Sequence, residues 1–470
     1  MTYREEALAP EFLQQRVLQE CEDSIALGAY ADDAAVVYLF LRPEGVHALS
    51  ARLGTERRIT PVAPIRPLFD WDEREMYDLH AILPKGEAVP RPLFIKNGQI
   101  PAALTAEGPG ITVIVVGPVH AGIIEPGRFT LSTGGETVIH LDGQFTYSHR
   151  GIESFLEGKN AIVAAPLLAR VCGACSVSRS FAYARALEAL AGAQIAREAE
   201  LMRVILAELE RLYNHVFDLG QCASGSGWGP GLTAGLTLKE RFMRLNASVG
   251  SHRMLFDTIV PGGVRPGMLA SDADRAALRR ELERLRNDVE AFGEKLFRNR
   301  SVVQRLQGAG IVDAKTAKAF GAVGPSGRAS GGDVDVRRHA PYGAYEWLSV
   351  GAVSEHRGDA MARAEVKRAE IMTSFDLITA VLDMLGSATI PAPRSLQPKA
   401  GTTSSAVEGP RGAETVSVRC DALGVLRRVH IRSSSYRNWP LVLRAMEGNI
   451  VPDFPLVNKS FNLCYACADR

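Results

Sequence analysis

The chain has 470 residues, of which 46% are hydrophobic and 23% charged, a composition typical of a globular protein with more than one domain. Its 54 basic and 53 acidic side chains leave a net charge of +1, which argues against nucleic acid as a partner. No apolar run approaches the ~20 residues of a membrane span, and no apolar signal core opens the chain, so we expect a cytoplasmic protein.

The first 105 residues predict a small α/β unit. A helical pattern covers residues 12–21, and the apolar run at 34–41 is typical of a buried strand. Residues 84–109 contain several Pro and Gly residues and predict a linker. We therefore divide the chain into domains at 1–105 and 106–470.

The second predicted domain is mainly helical, with peripheral β-hairpins. A strand is predicted at 111–116 and a hairpin at 129–141. Helices are predicted at 176–191, 194–219 and 361–385, and a capping box at 271–274 opens another that ends near 297. A further hairpin is predicted from 414–418 and 425–431. In the helix at 194–219 we expect Glu208, Glu210 and Arg211 on the polar face. The fold class is therefore α+β.

Four of the seven cysteines form two C-x-x-C pairs, Cys172/Cys175 and Cys464/Cys467. Such a pair brings two thiolates within reach of one metal ion. The pairs lie much farther apart than in common zinc modules, so a shared site would be built by the whole domain. Spacing alone leaves three interpretations open: a structural zinc ion or cluster, unmetallated thiols, or a buried catalytic metal. Cys21, Cys222 and Cys420 are expected to be small core residues.

The sequence around the two pairs resembles the large subunit of [NiFe] hydrogenases. R-x-C-G-x-C begins at Arg170, and C-x-x-C-x-x-R ends at Arg470. Between and before them come GPVHAGIIEPG at 117–127, HRGIE at 149–153, ELERLYNH at 208–215 and EGPRG at 408–412. Together these resemble the energy-converting group related to respiratory complex I. WDEREMYDL at 71–79 resembles the 30-kDa subunit of complex I, so the chain resembles the fused large subunit of formate hydrogenlyase.

The resemblance implies a Ni–Fe centre with an Fe(CN)2(CO) unit. Cys172 and Cys464 would be terminal nickel ligands, while Cys175 and Cys467 would bridge the two metals. Glu153 would relay protons, and Arg411 would lie over the centre beside an iron-bound cyanide. The reaction implied is the interconversion of H2 with protons and electrons, coupled to formate oxidation.

The resemblance also implies partners and a location. These are an iron–sulfur small subunit, a ferredoxin-like electron-transfer subunit, membrane-arm subunits and, as a further candidate, formate dehydrogenase. Through them the chain would sit peripherally on the cytoplasmic face of the inner membrane. Arg470 matches the point at which the family's maturation protease cuts.

Two positions depart from the family pattern. Arg179 stands where the family has a His that hydrogen-bonds a cysteine sulfur, and Leu463 replaces a common Pro. They support a second interpretation, a complex I-like quinone or redox coupling subunit with a degenerate metal site. A third is a scaffold with structural zinc.

Several other polar residues have both a structural and a functional interpretation. His149 and His215 are expected to be structural hydrogen-bonding residues, and His120 either a turn residue or a residue that contacts substrate or a proton path. Asp333, Asp335 and Arg337 predict either a solvated loop or a functional contact. Glu73, Arg74 and Glu75 are expected to form a docking surface.

Overall fold

The computed structural model describes residues 2–33, 35–86, 89–95, 99–120 and 124–470. Residue 34 of the predicted strand and residues 121–123 of the GPVHAGIIEPG motif lie outside these ranges. The α+β class is confirmed: small sheets surround a large helical region.

The N-terminal part is a four-stranded sheet with two helices packed against it. The strand order is β1-β4-β3-β2, with β1 and β4 parallel and the other pairs antiparallel. Leu13 and Val17 of α1 are buried in a core of their own with the apolar residues of this sheet. The elements are β1 (Thr2–Leu8), α1 (Pro10–Asp23), β2 (Ile25–Asp32), β3 (Ala35–Arg42), β4 (Gly45–Arg52), β5 (Arg58–Ile59), α2 (Asp70–His80) and β6 (Leu83–Pro84).

The segment predicted as a linker has no further helix or strand before residue 111 in its described part. It is nevertheless anchored, since Asp78 Oδ2 accepts hydrogen bonds from the backbone N–H groups of Leu93 (2.6 Å) and Phe94 (2.9 Å). Both of these side chains are buried. The segment therefore packs between the two halves of the chain.

The C-terminal part is a bundle of long helices flanked by two three-stranded antiparallel sheets, one within residues 111–144 and one within residues 401–432. Its first elements are β7 (Ile111–Val116), β8 (Arg128–Gly134), β9 (Thr137–Gln144), α3 (Ile152–Leu156), α4 (Ala161–Ala169), α5 (Ser176–Ala191), α6 (Arg197–Gly225), α7 (Gly229–Gly250), β10 (Ile259–Val260) and β11 (Gly263–Val264).

The remaining elements complete the bundle and the second sheet. They are α8 (Asp272–Arg298), α9 (Arg300–Leu306), α10 (Ala314–Ala319), α11 (Gly324–Arg328), α12 (Val336–His339), α13 (Ala360–Leu385), β12 (Gly401–Gly409), β13 (Gly412–Cys420), β14 (Leu426–Arg432), α14 (Ser434–Ala445), α15 (Phe454–Phe461) and α16 (Ala466–Asp469). The predicted helices, both hairpins and the capping box at Ser271 are confirmed. Strand β12 was not predicted.

Helix α6 differs from its prediction. Glu208, Glu210 and Arg211 do not form a solvent face, because all three are fully buried. Each carries a partner from another element: Arg211, for example, donates to the carbonyl oxygens of Glu408 and Gly409 at 2.9 Å. The helix is surrounded by protein on all sides, so its polar stripe faces an internal ion-pair network.

Among the described helices, none alone is long and apolar enough to cross a bilayer. Of the described helices, one pair, Ala161–Ala169 and Gly173–Ala191, is long and apolar enough when its two helices are taken together. These two helices are bent by 112° relative to each other.

Candidate metal centre

The fold brings the four cysteines of the two C-x-x-C pairs together. Their Sγ atoms all lie within 4.8 Å of one another. Cys172, Cys175 and Cys467 are buried and Cys464 is half-buried, and all four are free thiols. Four soft sulfur donors at this spacing fit a thiolate-bound metal. The remaining cysteines lie elsewhere: Cys222 and Cys420 are buried in the core, as predicted, and Cys21 is half-buried.

The first pair lies in a turn that α6 holds in place. The turn connects α4 to α5, and Tyr213 Oη donates to the carbonyl oxygen of Gly173 at 2.9 Å. Asn214 Nδ2 donates to the carbonyl oxygen of Ala174 at the same distance. A Cβ atom at position 173 would lie 2.6 Å from Met254 Sδ, so only glycine fits there without displacing Met254.

The second pair lies close to Arg470, and hydrogen bonds hold this segment in place. Thr146 N–H donates to Asp469 Oδ1 at 2.7 Å, and His149 Nδ1 donates to the Asp469 carbonyl at 2.5 Å. Arg150 N–H donates to the Arg470 carbonyl at 2.9 Å. His149 thus has the structural role that was expected of it.

The four thiols change one another's pKa. Hydrogen bonds from the other three thiols lower the pKa of Cys467 well below its usual value, and the Arg179 guanidinium lowers it further. The pKa of Cys175 lies well above its usual value, chiefly because of the hydrogen bond with Cys172. One thiolate is therefore stabilised at the expense of the others, whereas a bound cation would stabilise all four.

Arg179 contacts the site directly. Its Nη2 donates to Cys467 Sγ at 3.3 Å and to Glu414 Oε2 at 3.0 Å, and the side chain is fully buried. The guanidinium thus occupies the place where the family's histidine was expected to meet a sulfur.

Arg411 lies beside the cysteines, held by three neighbours. Nη1 donates to Asn214 Oδ1 at 3.0 Å, Nη2 is 3.7 Å from Asp218 Oδ1, and Nε donates to the Asn462 carbonyl. Burial lowers the pKa of Arg411, but Cys464 and Asp218 outweigh it and raise the pKa well above its usual value. The side chain is a fixed cation at the edge of the site.

A cavity of about 860 Å³ opens onto the site. Of the described residues, its wall includes Cys172, Cys464, Arg411 and Glu125, but neither Cys175 nor Cys467. His120 also lines it, with Nε2 3.3 Å from Tyr465 Oη. Glu125 was not among the predicted site residues, although it lies in the motif at 117–127.

Glu153 has different surroundings from those that a proton relay was expected to have. Its Oε1 lies 3.2 Å from Arg470 Nη1 and accepts a hydrogen bond from Ile431 N–H at 2.8 Å. None of its described contacts reaches a cysteine. Burial opposes ionisation, but Arg470 and His430 lower the pKa of Glu153 well below its usual value. These contacts favour a structural role, and the relay stays a prediction.

Other polar residues with two interpretations belong to buried networks. His215 Nε2 contacts Glu370 Oε2 at 2.8 Å, so it is a structural hydrogen-bonding residue. Asp335 and Arg337 are buried, with Nη2 of Arg337 2.6 Å from Asp335 Oδ2, which rules out a solvated loop at these two positions.

The prediction of a docking surface on α2 is wrong in part. Glu75 is 3% exposed and pairs with Arg432 and Arg470 of the C-terminal part. Glu73 accepts hydrogen bonds from Tyr38 Oη (2.8 Å) and Val62 N–H (2.7 Å), within the N-terminal part.

Different parts of the chain match different protein families. The family described as "Respiratory-chain NADH dehydrogenase, 30 Kd subunit" matches residues 9–105. "Nickel-dependent hydrogenase" matches 150–220, and "Respiratory-chain NADH dehydrogenase, 49 Kd subunit" matches 230–399 and 392–470.

Individual relatives include both hydrogenases and a solved respiratory complex. The chain is 29% identical over 436 residues to formate hydrogenlyase subunit 5 of Escherichia coli (strain K12), covering 87% of this chain and 76% of the relative. It is 31% identical over 360 residues to the carbon monoxide-induced hydrogenase of Rhodospirillum rubrum, covering 76% and 99%. A chain of the membrane-bound sulfane sulfur reductase, an archaeal respiratory membrane complex, superposes with a TM-score of 0.72 at 26% identity, covering 77% and 99%.

The four gathered thiols, the fused 30-kDa and 49-kDa regions and these relatives agree with one another. The chain is an oxidoreductase that belongs to the family of complex I-related [NiFe] hydrogenase large subunits, of the fused formate hydrogenlyase type.

Proposed function

We propose that this chain is the catalytic large subunit of a membrane-associated [NiFe] hydrogenase that interconverts H2 with protons and electrons. The observation that carries the proposal is the set of four Sγ atoms within 4.8 Å, three of them buried. Four cysteines can also bind zinc. The choice of nickel and iron therefore rests on the relatives that are named as hydrogenases.

The four cysteines would hold a Ni–Fe centre with an Fe(CN)2(CO) unit. Cys172 and Cys464 would hold nickel alone, and Cys175 and Cys467 would hold both nickel and iron. The cavity supports this division, because its described wall includes the first two and not the second two. When bound, the centre supplies a redox-active pair of metals with an open position for H2.

The charged side chains around the thiolates orient and stabilise them. Arg411 presents a permanent cation to the side of the site nearest the cavity, where it would hold an iron-bound cyanide. Arg179 donates a hydrogen bond to Cys467 and so withdraws electron density from that sulfur. Both guanidinium groups stay charged, so neither is a ready proton acceptor.

We infer that a carboxylate carries the proton away from the site. The family resemblance makes Glu153 the candidate for this proton relay. Glu125 is the other candidate, because it lines the cavity. Because Glu153 is already paired with Arg470, we expect Glu125→Gln to lower H2 oxidation about 100-fold, and Glu153→Gln to lower it only in proportion to lost nickel. Dye-linked H2 oxidation, normalised to nickel content, measures both. A larger normalised loss in Glu153→Gln would restore the relay role to that residue.

Electrons leave through partner subunits, because no other cysteine cluster pattern exists in the chain. The iron–sulfur small subunit and a ferredoxin-like subunit would accept them, with membrane-arm subunits and a formate dehydrogenase completing the complex on the cytoplasmic face of the inner membrane. An apolar surface on β7 supports such docking: Val113 and Val115 are 47% and 48% exposed, and Val116 lines the cavity.

Metal analysis of the complex tests the proposal. We expect about one nickel per chain after maturation, together with infrared bands of CO and CN⁻. Cys467→Ala should abolish both, while Cys222→Ala, a buried cysteine outside the site, should keep them. Zinc in place of nickel, without those bands, would favour the scaffold interpretation and overturn the hydrogenase.

A second candidate is a complex I-like subunit that handles quinone or another redox partner with a degenerate metal site. Arg179 beside Cys467 and the 49-kDa match over residues 230–470 favour it. Electron transfer that survives Cys467→Ala would support this candidate. If the hydrogenase is correct, Arg179→His should retain nickel and activity.

A further inference from the structure

Helix α2 of the N-terminal part inserts two carboxylates into the C-terminal part. Glu75 Oε2 accepts hydrogen bonds from Arg470 Nη2 (2.5 Å), Arg432 Nη1 (3.2 Å) and Tyr436 Oη (2.8 Å). Asp72 Oδ1 lies 2.9 Å from Arg432 Nη2. All of these side chains are buried, so the contacts are shielded from solvent and salt.

Arg470 connects this cluster to the cysteine site. Its backbone N–H donates to the Ala466 carbonyl at 3.0 Å, one turn back along α16, which carries Cys467. Its Nη1 donates to the Ile431 carbonyl at 2.6 Å and to Glu153, and its guanidinium lies 4.9 Å from the centroid of the Tyr436 ring. The side chain is 2% exposed.

Glu75 supplies negative charge to two buried guanidinium groups of the cluster, those of Arg432 and Arg470. The carboxylates of Asp72, Glu75 and Glu153 face the guanidinium groups of Arg428, Arg432 and Arg470. Glu75, Glu153 and His430 lie close enough to bind a metal ion, but Arg470 pairs with both carboxylates and supplies the cation there. Removal of the Glu75 charge would take one carboxylate partner from each of the buried guanidinium groups of Arg432 and Arg470.

Helix α16 needs such external support. It has four residues, too few to be stable alone. Its described anchors from the C-terminal part include Thr146, His149 and Arg150, which bind the main chain and side chain of Asp469 and the carbonyl of Arg470. Glu75 is the anchor that comes from the N-terminal part and holds the Arg470 side chain.

We propose that Glu75 is a positioning residue of the cysteine site: through Arg470 it holds α16, and with it Cys467, so that the N-terminal domain completes the site in the C-terminal domain. The part of this inference that concerns metal retention rests on the proposed function. The part that concerns the position of Cys467 does not.

The first experiment measures the alkylation rate of each cysteine by mass spectrometry in the metal-free, full-length chain. We expect Glu75→Gln to raise the rate at Cys467 about tenfold and to leave Cys222 unchanged. Glu73→Gln is the matched control, because Glu73 lies on the same helix but contacts Tyr38 and Val62 within its own domain. It should leave Cys467 at the wild-type rate.

A double-variant cycle and a spectroscopic signal complete the test. Arg470→Gln should raise Cys467 alkylation at least as much as Glu75→Gln, and the double variant should match Arg470→Gln alone. With added Ni²⁺, the thiolate-to-nickel absorption band should decay about tenfold faster in Glu75→Gln than in Glu73→Gln when a chelator is added.

Three outcomes would overturn the inference. They are an unchanged Cys467 rate in Glu75→Gln, an equal rise at Cys222 that signals global unfolding, and additive effects in the double variant. Absence of the nickel band from the wild type would count against the proposed metal centre, while the alkylation rates would still decide whether Glu75 positions Cys467.

Discussion

The contact between Arg179 and Cys467 is the departure from family pattern that has the clearest physical consequence. The guanidinium is shared between the sulfur and the Glu414 carboxylate, and all three groups are buried. Glu414 Oε1 also accepts a hydrogen bond from the backbone N–H of Ser434 at 3.0 Å. Arg179 is therefore the cation that keeps a buried carboxylate beside the thiolates.

Arg179→Met tests that role. We expect the free energy of unfolding of the metal-free chain to fall by about 3–5 kcal/mol, because Glu414 is left buried without its cation. The double variant Arg179→Met/Glu414→Gln should recover more than half of the loss. Urea unfolding followed by circular dichroism measures both. A double variant no more stable than the single one would contradict the pairing.

Some residues of the site can be predicted from sequence motifs, and others cannot. The four cysteines are evident from two short motifs, and Arg411 follows from the motif that contains it. The choice between Glu125 and Glu153 is not evident, because it depends on which carboxylate faces the cavity after two segments have packed. The Glu75–Arg470 pair joins opposite ends of the chain, and no local pattern predicts it.

At the scale of single elements, helix α6 shows why periodicity identifies a helix more reliably than its environment. Apolar spacing located the helix, but charged positions indicated a solvent face that does not exist. The partners of these charges come from other elements: Glu210, for example, accepts hydrogen bonds from Val177 N–H (2.6 Å) and Ser178 N–H (3.1 Å), at the start of α5. Glu210 therefore caps the helix that follows Cys175.

The Glu210 cap predicts a measurable pH dependence. Burial raises the pKa of Glu210 from 4.5 to about 7, so the folded chain keeps a proton that the unfolded chain releases above about pH 4.5. The free energy of unfolding should fall as pH rises from about 4.5 to about 7, by about 3 kcal/mol from this group, and then level off.

Glu210→Gln isolates this contribution from those of other titrating groups. The variant loses one backbone hydrogen bond at every pH, but the difference from wild type should shrink between pH 4.5 and 7, because only the wild type is destabilised there. Urea unfolding at several pH values provides both curves. Parallel curves across this range would show that Glu210 does not titrate in it.

At the scale of the whole molecule, the interface between the two halves of the chain contains buried ion pairs as well as apolar side chains. The sequence predicts the division near residue 105 from Pro and Gly content and from the 30-kDa resemblance. It does not predict that Arg432 binds Asp72, Glu75 and the Ala29 carbonyl (2.9 Å) across the division, since complementary charges on separate segments carry no periodic signal. The interface between the two halves is therefore not evident from sequence.

Arg432→Met should weaken this interface selectively. The substitution leaves Asp72 and Glu75 buried with fewer cations, so we expect about 3–5 kcal/mol of destabilisation. It should also split a single calorimetric transition into two, with the N-terminal part unfolding first.

Arg419→Met is the matched control at the same interface. Arg419 is about 31% exposed and pairs with Asp32 and Asp33, so its loss should cost under about 1 kcal/mol and keep one transition. Equal effects of the two substitutions would show that burial of the Arg432 cluster does not couple the halves.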